Sequence, residues 1–544
     1  MRVALAQIDT TVGDIPGNLS RIRDAAARAR SAGAALVVFP EQSVGGYPAL
    51  DLWEDPDFLR SGEAALKDLA RGAGETALLV GAAVRNPRPV GKPILNAAAL
   101  LHRGQVAALR GKTLLPTYDV FDERRYFEPA SANTPVRFGG LRIGVTICED
   151  AWSRAPSESR RLYRTDPVAA QVRAGADLLV NLSASPFERG KSALRETLLR
   201  GHARRARRPL LYCNQVGGND ELVFDGHSLV LDGRGRVAAR GKSFAEDLVI
   251  VDTEALPKAA APYGLVDIAE VEAALALGIR DYMRKCGMRK AFIGLSGGID
   301  SAVVAALAVK ALGPGAVTGV SMPSLYSSPG SSADAEALAR NLGIRFLSLP
   351  ITETYETTLR ALGKPFGEGE VGLAEQNLQA RVRGSLLMAL TNKEGGLVLS
   401  TGNKSELSVG YCTLYGDMCG GLAVIADVPK TTVCELARWM NRDQAVIPQS
   451  TLDKPPSAEL KPDQKDQDDL PEYATLDAVV AAYIEERRSA AEIARRGFSA
   501  ELVRDVIRRI DRNEYKRRQA APCLKISSKA FGVGRRMPIA RGSF

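Results

Sequence analysis

The stretch that most constrains the fold is Gly294-Leu295-Ser296-Gly297-Gly298-Ile299-Asp300-Ser301. The apolar run Ala291-Phe292-Ile293 leads into it, and residues 302–312, rich in Ala and Val, follow with the spacing of a helix. Strand, glycine turn and helix in that order make a βα unit whose turn exposes free N–H groups and a helix dipole, a ready anion site. Ser296 and Ser301 add hydroxyl donors, and Asp300 adds a carboxylate suited to Mg²⁺ beside a polyphosphate. No Lys stands in the turn, so it is not the G-x-x-x-x-G-K-[ST] loop. Further strands at 317–322 and 345–349, with a helix at 333–342 between them, continue a βαβαβ run and imply a parallel, right-handed sheet.

The chain has 544 residues, room for two to four domains, with 45% hydrophobic and 25% charged residues as in soluble globular enzymes. Its net charge of +9 is spread along the chain, with modest clusters only at 200–208 and 516–518. A nucleic-acid binder concentrates its basic residues, so small anionic molecules are the expected partners. Seven Cys at irregular spacing form no disulfide framework, and Cys412, Cys419 and Cys434 lack the close CxxC pair of a zinc site. Three His (His102, His202, His227) leave little for a Ser-His-Asp or His-metal centre. The start, residues 1–8, reads as a strand, and no apolar run reaches membrane-spanning length. A cytoplasmic homo-oligomer without nucleic-acid or membrane partners is the expectation.

Residues 1–255 alternate strand and helix patterns without a glycine-rich phosphate loop. Strands are expected at 3–8, 35–39, 77–84, 141–147, 176–182, 210–213, 228–231 and 248–251, and helices at 19–32, 167–174 and 193–207. Three apolar runs each end on a reactive side chain: 37–40 on Glu41, 106–111 on Lys112, and 143–147 on Cys148. A carboxylate, an ammonium and a thiol make a complete acyl-transfer set without histidine. The thiol attacks, the carboxylate shuttles the proton, and the cation holds the oxyanion. Singly each has a plainer explanation; the triple carries the weight.

The glycine turn resembles the PP-loop of ATP pyrophosphatases, and the first half resembles the nitrilase superfamily. The resemblance places Glu41, Lys112 and Cys148 on the catalytic triad of an αββα sandwich. Lys112-Thr113-Leu114-Leu115-Pro116 and Cys148-Glu149-Asp150-Ala151-Trp152 are similar to the glutaminase domain of glutamine-dependent NAD synthetases. It implies that Tyr118, Ser185 and Lys191 hold glutamine and that Glu128 orders Lys112.

The pattern breaks at 256–266, an expected linker between a domain 1–255 and a domain 267–544. The helix Asp267–Lys285 opens the second half, and a helix at 374–393 leads to a strand at 397–400 and then Thr401-Gly402-Asn403-Lys404-Ser405-Glu406. Residues 448–472, with their prolines, read as a mobile loop, followed by helices at 476–486 and 499–509. Gln376-Asn377-Leu378-Gln379-Ala380-Arg381, 401–406, 455–460 and 514–518 are similar to the NAD synthetase domain, and a Rossmann-like parallel sheet is implied. By this resemblance Gly294, Leu295, Ser296, Gly297, Gly298, Ile299, Asp300, Ser301 and Thr401 bind ATP. Asn377, Glu406 and Lys516 contact nicotinate adenine dinucleotide, and Asp300 and Glu406 hold Mg²⁺. The implied activity is glutamine-hydrolysing NAD synthesis, with ammonia passing through a sheltered tunnel. A PP-loop amidotransferase with another acceptor, or an amidase fused to a nucleotide sensor, remains open on these residues.

Overall fold

The computed structural model describes residues 1–131, 133–153, 162–366, 372–461 and 464–542. The chain falls into two compact units, Met1–Leu265 and Val266–Phe544.

In the first unit two six-stranded sheets face each other. One runs edge to edge as Asp247–Asp252, Arg2–Gln7, Leu36–Val38, Ala77–Arg85, Ile94–His102 and Gln105–Gly111. The other runs Val237–Arg240, Leu229–Leu231, Leu210–Asn214, Leu178–Ser183, Leu141–Ile147 and Val136–Phe138. Strand alternation decides what each residue buries. Val3, Leu5, Leu36, Val38 and Leu79 interleave with Ile143, Val145, Val180 and Leu211 between the sheets. Ala4, Ala6, Val37, Phe39 and Val80 turn outward against the helices Ile15–Ser31 and Pro56–Gly72. On the far side Leu179, Leu210 and Leu229 pack with the helices Pro167–Arg173 and Lys191–Ala206. Helix, sheet, sheet, helix is the αββα sandwich, and strands covered on both faces are why the sequence runs are apolar without a break. Each fully buried Leu, Ile or Val in these layers contributes about 1.5–3 kcal/mol.

Strands were not expected at Ile94–His102, Val136–Phe138, Val216–Asn219, Leu222–Asp225 or Val237–Arg240, nor a helix at Pro56–Gly72. Ile94–His102 is Ala-rich and buried along most of its length, so it shows neither alternation nor β-branched enrichment. The stretch 256–266 is not free of the unit: the Ala260 N–H donates to Val237 O (2.9 Å), and Tyr263 packs on the Leu210–Leu229 core.

The second unit holds a five-stranded, wholly parallel sheet, ordered Arg345–Ser348, Val317–Ser321, Ala291–Gly294, Leu397–Ser400 and Leu422–Ala423. Strand order reverses between Ala291–Gly294 and Leu397–Ser400, so their carboxyl ends open a crevice at a topological switch point. Gly294–Ser301 and 401–406 are the two loops at that crevice, one at the end of each strand. The helix Ile299–Leu312 follows the first loop, and Lys404–Val409 follows the second with Asn403 as its cap.

The expectation of a mobile 448–472 loop is corrected. Gln449–Asp453 is helical, Lys454 Nζ bonds Ser331 (2.9 Å) and Asp334 (2.8 Å), and Gln379 Nε2 donates to Leu460 O (3.0 Å). Side-chain bonds to neighbouring segments replace the backbone ladder that the prolines forbid. Pro462, part of that expectation, lies outside the described residues. The expected helix 476–486 is Tyr473–Val480 continued by a π turn over Ala481–Glu485.

Candidate active sites

In the first unit the three reactive side chains meet. Glu41 follows Leu36–Val38, Lys112 follows Gln105–Gly111, and Cys148 opens a short 3-10 turn after Leu141–Ile147. Lys112 Nζ donates to Glu41 Oε1 at 2.8 Å, and both side chains are fully buried. The remaining Glu41 bonds come from Asn96 Nδ2 (2.7 Å) and the Ala184 N–H (3.2 Å). Gly81 fixes the carboxylate's height, since a Cβ there would lie 2.4 Å from the Gln42 nitrogen and the Pro40 oxygen. Cys148 has φ +38°, a left-handed turn that lifts its side chain off the strand end at a cost of about 1–3 kcal/mol.

Burial, and then the Glu41 charge, push the Cys148 thiol up, while Lys112 and Ser183 pull it down. Cys148 is therefore held as the thiol, and attack by its sulfur would need a base to take the proton. For Lys112, burial opposes the charge, but Glu123 and Glu41 outweigh it and hold the ammonium charged.

Glu128 does not order Lys112. Its carboxylate accepts from the Lys92 N–H (2.9 Å), and the residue that binds Lys112 is Glu123, with Oε1 2.7 Å from Nζ. Tyr47 OH donates to the same oxygen (3.0 Å), and Asn96 links Glu123 with Glu41. Glu123 stands on a 3-10 turn with no strand before it, so no apolar run announces it. Asp150 is the other group the sequence reading missed. Its Oδ1 accepts from the Thr113 (3.0 Å) and Leu114 (2.8 Å) N–H groups, and its Oδ2 accepts from the Ile147 N–H (3.0 Å). One carboxylate thus pins the chain after Lys112 to the chain before Cys148.

Tyr118 OH donates to Glu149 (2.9 Å), as does Tyr163 OH (2.8 Å), and burial raises the Glu149 carboxyl. Lys191 begins the helix Lys191–Ala206, with Nζ 5.7 Å from the Trp152 ring centroid. Ser185 is buried, its N–H donating to Asn214 Oδ1 (2.9 Å).

In the second unit a cavity of about 290 Å³ is lined by the glycine loop, Thr401, Glu406, Arg383, Lys430 and residues 454–460. The loop closes on itself, Ser296 Oγ accepting from the Gly298 N–H (3.2 Å) and Ser301 Oγ donating to Gly298 O (3.0 Å). Gly297 has φ +77°, and a Cβ on it would meet the Ser331 carbonyl oxygen at 2.3 Å, so only glycine fits. Asn403 Nδ2 donates to Asp300 Oδ1 (3.1 Å). Lys430, which sequence reasoning missed, bonds Asp300 and lies 3.5 Å from Glu406 Oε1. Burial first, then the anions Asp300 and Asp466, raise the Glu406 carboxyl against the pull of Lys430.

Asn377 and Lys516 lie off this cavity. Asn377 Oδ1 accepts from Thr413 Oγ1 (2.7 Å), and Lys516 Nζ donates to the Gly410 (2.7 Å) and Cys412 (2.8 Å) carbonyls. Both hold the 410–413 segment, whose Tyr411 does line the cavity. Arg517 is structural, buried against Leu407 O, Ser408 O and Glu514.

Asp300 in the glycine loop and Glu406 across from it are a donor set that suits Mg²⁺, which takes one or two carboxylates and completes its shell with phosphates and water. Among the described residues no three His, Cys, Asp or Glu side chains gather into a metal cage. The fit is thus to a cation arriving with a polyphosphate, and Lys430 balances the pair meanwhile.

A family profile described as carbon-nitrogen hydrolase matches residues 2–256, and one described as NAD synthase matches residues 271–520. The glutamine-dependent NAD(+) synthetase of Synechocystis is 48% identical over 99% of this chain and 98% of its own length. The chain belongs to the glutamine-dependent NAD(+) synthetase family. The Thermotoga maritima member is 43% identical over 99% of this chain and 98% of its own length. A solved synthetase of this family from Acinetobacter baumannii, in complex with ADP, shares 40% identity and a TM-score of 0.79, covering 99% of this chain and 98% of its own. In this chain the stretch matched by the carbon-nitrogen hydrolase profile precedes the one matched by the NAD synthase profile, and no helix among the described residues is long and apolar enough to cross a membrane.

Proposed function

We propose that this chain is a glutamine-hydrolysing NAD synthetase in which the first unit releases ammonia and the second spends ATP to install it. Cys148 Sγ attacks the side-chain carbonyl carbon of glutamine while Glu41 takes the thiol proton. Lys112 and backbone N–H groups hold the resulting oxyanion. Glu41 returns the proton as the C–N bond breaks, and ammonia leaves. Water then adds to the thioester, its proton passing through Glu41, and breakage of the C–S bond frees glutamate and restores the thiol. Tyr118, Ser185 and Lys191 hold the amino-acid end, with Glu149 available to its ammonium group.

In the second unit a nicotinate carboxylate oxygen attacks the α-phosphorus of ATP, and the bond to pyrophosphate breaks. The leaving pyrophosphate rests on Ser296–Ser301 N–H and hydroxyl groups, and Thr401 faces the nucleotide. Ammonia attacks the adenylated carbonyl, AMP departs with the carboxylate oxygen, and a proton is lost, giving the nicotinamide of NAD. Asp300 and Glu406 would hold Mg²⁺, which supplies neutralisation of the phosphate charge. Lys430 orients both carboxylates. Asn377 and Lys516 act on the dinucleotide through the 410–413 segment. The cytoplasmic homo-oligomer expected from the sequence is kept as part of this reading, and sedimentation velocity checks its assembly.

The observation that carries the reading is the pairing of a buried Lys112–Glu41 pair and Cys148 with a PP-loop cavity, in a chain that matches the family end to end. The test follows AMP and NAD formation from ATP, Mg²⁺, nicotinate adenine dinucleotide and glutamine. Wild type makes both products, and Cys148→Ala makes neither with glutamine but recovers with ammonium. Glutamate release without NAD from the wild type would overturn the acceptor assignment.

A further inference from the structure

Behind the glutamine-site residues lies a buried polar cluster that the reaction does not use. Its hub is Asp225, fully buried on the Leu222–Asp225 strand. Arg195 grips it with two parallel bonds, NH1 to Oδ1 at 3.0 Å and NH2 to Oδ2 at 3.1 Å. Asn214 Nδ2 donates to Asp225 Oδ1 (3.2 Å) and to Gly226 O (2.8 Å). His227 Nδ1 lies 3.2 Å from Asp225 Oδ2, and its Nε2 is 2.7 Å from Ser243 Oγ.

Three threads run from this hub toward the glutamine site. Asn214 holds Ser185 from both sides, accepting from its N–H (2.9 Å) and donating to its carbonyl (3.3 Å). Arg195 lies one turn into the helix that Lys191 begins, so its bidentate grip fixes the height of that helix. The Arg195 guanidinium also sits 5.8 Å from the Tyr212 ring centroid, and Tyr212 OH donates to Ser183 Oγ (3.1 Å), the hydroxyl that pulls the Cys148 thiol down.

A fourth thread leads the other way. The His227 ring stacks on Tyr263, centroids 4.0 Å apart and planes 26° off parallel, and Arg240 covers the Tyr263 ring at 4.6 Å. Tyr263 stands two residues before the first unit ends at Leu265, on the covalent path to the second.

We infer that Tyr263, clamped between His227 and Arg240, is a positioning residue for the glutamine site. It holds His227 against Asp225, and through that hub it sets Ser185 and the Lys191 helix. The chain's exit from the first unit is thereby part of the scaffold that sizes the glutamine pocket. The stack on His227 and the Arg240 cation contact together hold the Tyr263 ring in place. The inference rests on Ser185 and Lys191 as glutamine-binding residues.

The experiment compares Tyr263→Leu and Tyr263→Phe in the full chain, measuring glutamate release against glutamine concentration and NAD formation driven by ammonium. Tyr263→Leu keeps an apolar side chain but loses the stack; its glutamine KM rises about tenfold, its kcat changes less than threefold, and its ammonium-driven rate is unchanged. Tyr263→Phe keeps the ring and stays within twofold of wild type. A wild-type glutamine KM in Tyr263→Leu overturns the inference, and so does an equal loss in the Phe variant. Equal loss of the glutamine-driven and ammonium-driven rates overturns it too, since that marks general damage. Lys191→Ala is the separate arm for the site reading. An unchanged glutamine KM there, beside a raised one in Tyr263→Leu, removes Lys191 from the pocket and leaves the Tyr263 clamp standing through Ser185.

Discussion

Asp150→Asn is the most direct probe of how the first site is assembled. The native carboxylate accepts three backbone N–H groups, two from the chain after Lys112 and one from the chain before Cys148. An asparagine has one oxygen for these three donors. If that oxygen faces Thr113 and Leu114, the amide NH₂ is driven against the Ile147 N–H, leaving a buried donor unpaired at about 1–3 kcal/mol. The two surviving bonds lose their charge assistance, about 1 kcal/mol each. The pin therefore weakens by about 3–5 kcal/mol. If about 2–3 kcal/mol of that appears as misplacement of Lys112 against Cys148, kcat/KM for glutamine falls about 30- to 150-fold. Burial pushes the Asp150 carboxyl up to about 7, against its backbone bonds and Lys112. Protonation removes an acceptor much as the amide does, so the gap between variant and wild type narrows as pH falls below about 7. The assay is glutamate release across that pH range, with ammonium-driven NAD formation as the internal control. Glutaminase activity within threefold of wild type at pH 8 would refute the pinning role, and so would equal loss of the two activities.

Three further outcomes are expected. Lys430→Met strips Asp300 and Glu406 of their ammonium, and breaking such a buried pair costs about 3–5 kcal/mol; the KM for ATP rises at least tenfold while glutamate release is unaffected, as initial-rate kinetics check. Gly297→Ala forces a Cβ to 2.3 Å from the Ser331 oxygen; NAD formation is lost with either nitrogen donor, while glutamine hydrolysis persists. Burial opposes ionisation of Asp225, but Arg195 and His227 outweigh it and hold its folded pKa below the unfolded value of about 3.9. That contribution is complete above about pH 4 and lost as pH falls through the folded value, so thermal melts of Asp225→Asn lose less stability below pH 4 than those of wild type.

The second unit was the more legible half because its sheet is parallel and its helices are separate runs. Asp267–Lys285 and Leu397–Ser400 fall where periodicity put them, and the glycine loop joins Ala291–Gly294 to Ile299–Leu312. The first unit hid more. Strands buried on both faces lose the alternation that marks a half-exposed strand, and an Ala-rich one such as Ile94–His102 has little β preference left. Residues 448–472 misled in the opposite direction. Proline density reports that backbone hydrogen bonds are missing, but says nothing of side chains such as Lys454 and Glu459, which hold that segment to Ser328, Ser331 and Asp334.

The same division explains which functional groups could be read. Glu41, Lys112 and Cys148 stand at or just beyond strand ends, where an apolar run frames the polar residue that follows, and Asp300 opens a helix behind the glycine loop that gives it away. Glu123, Asp150, Asn403 and Lys430 reach their partners from turns and helix starts, at separations of 11 to 130 residues. Asp150 and Asn403 also bond nearby, Asp150 three residues back to the Ile147 N–H and Asn403 three residues on to the Glu406 N–H. Local pattern picks out the candidate reactive groups, and tertiary structure picks out the groups that hold their charge. In both sites the second set decides the chemistry. Lys112 keeps its proton though fully buried because Glu123 and Glu41 outweigh the cost of burial, and Lys430 holds two carboxylates together at the glycine loop. An ion pair so thoroughly buried gives little net stability. Its selective value is geometric: an oxyanion or a phosphate meets charges that are already in place and need not reorganise.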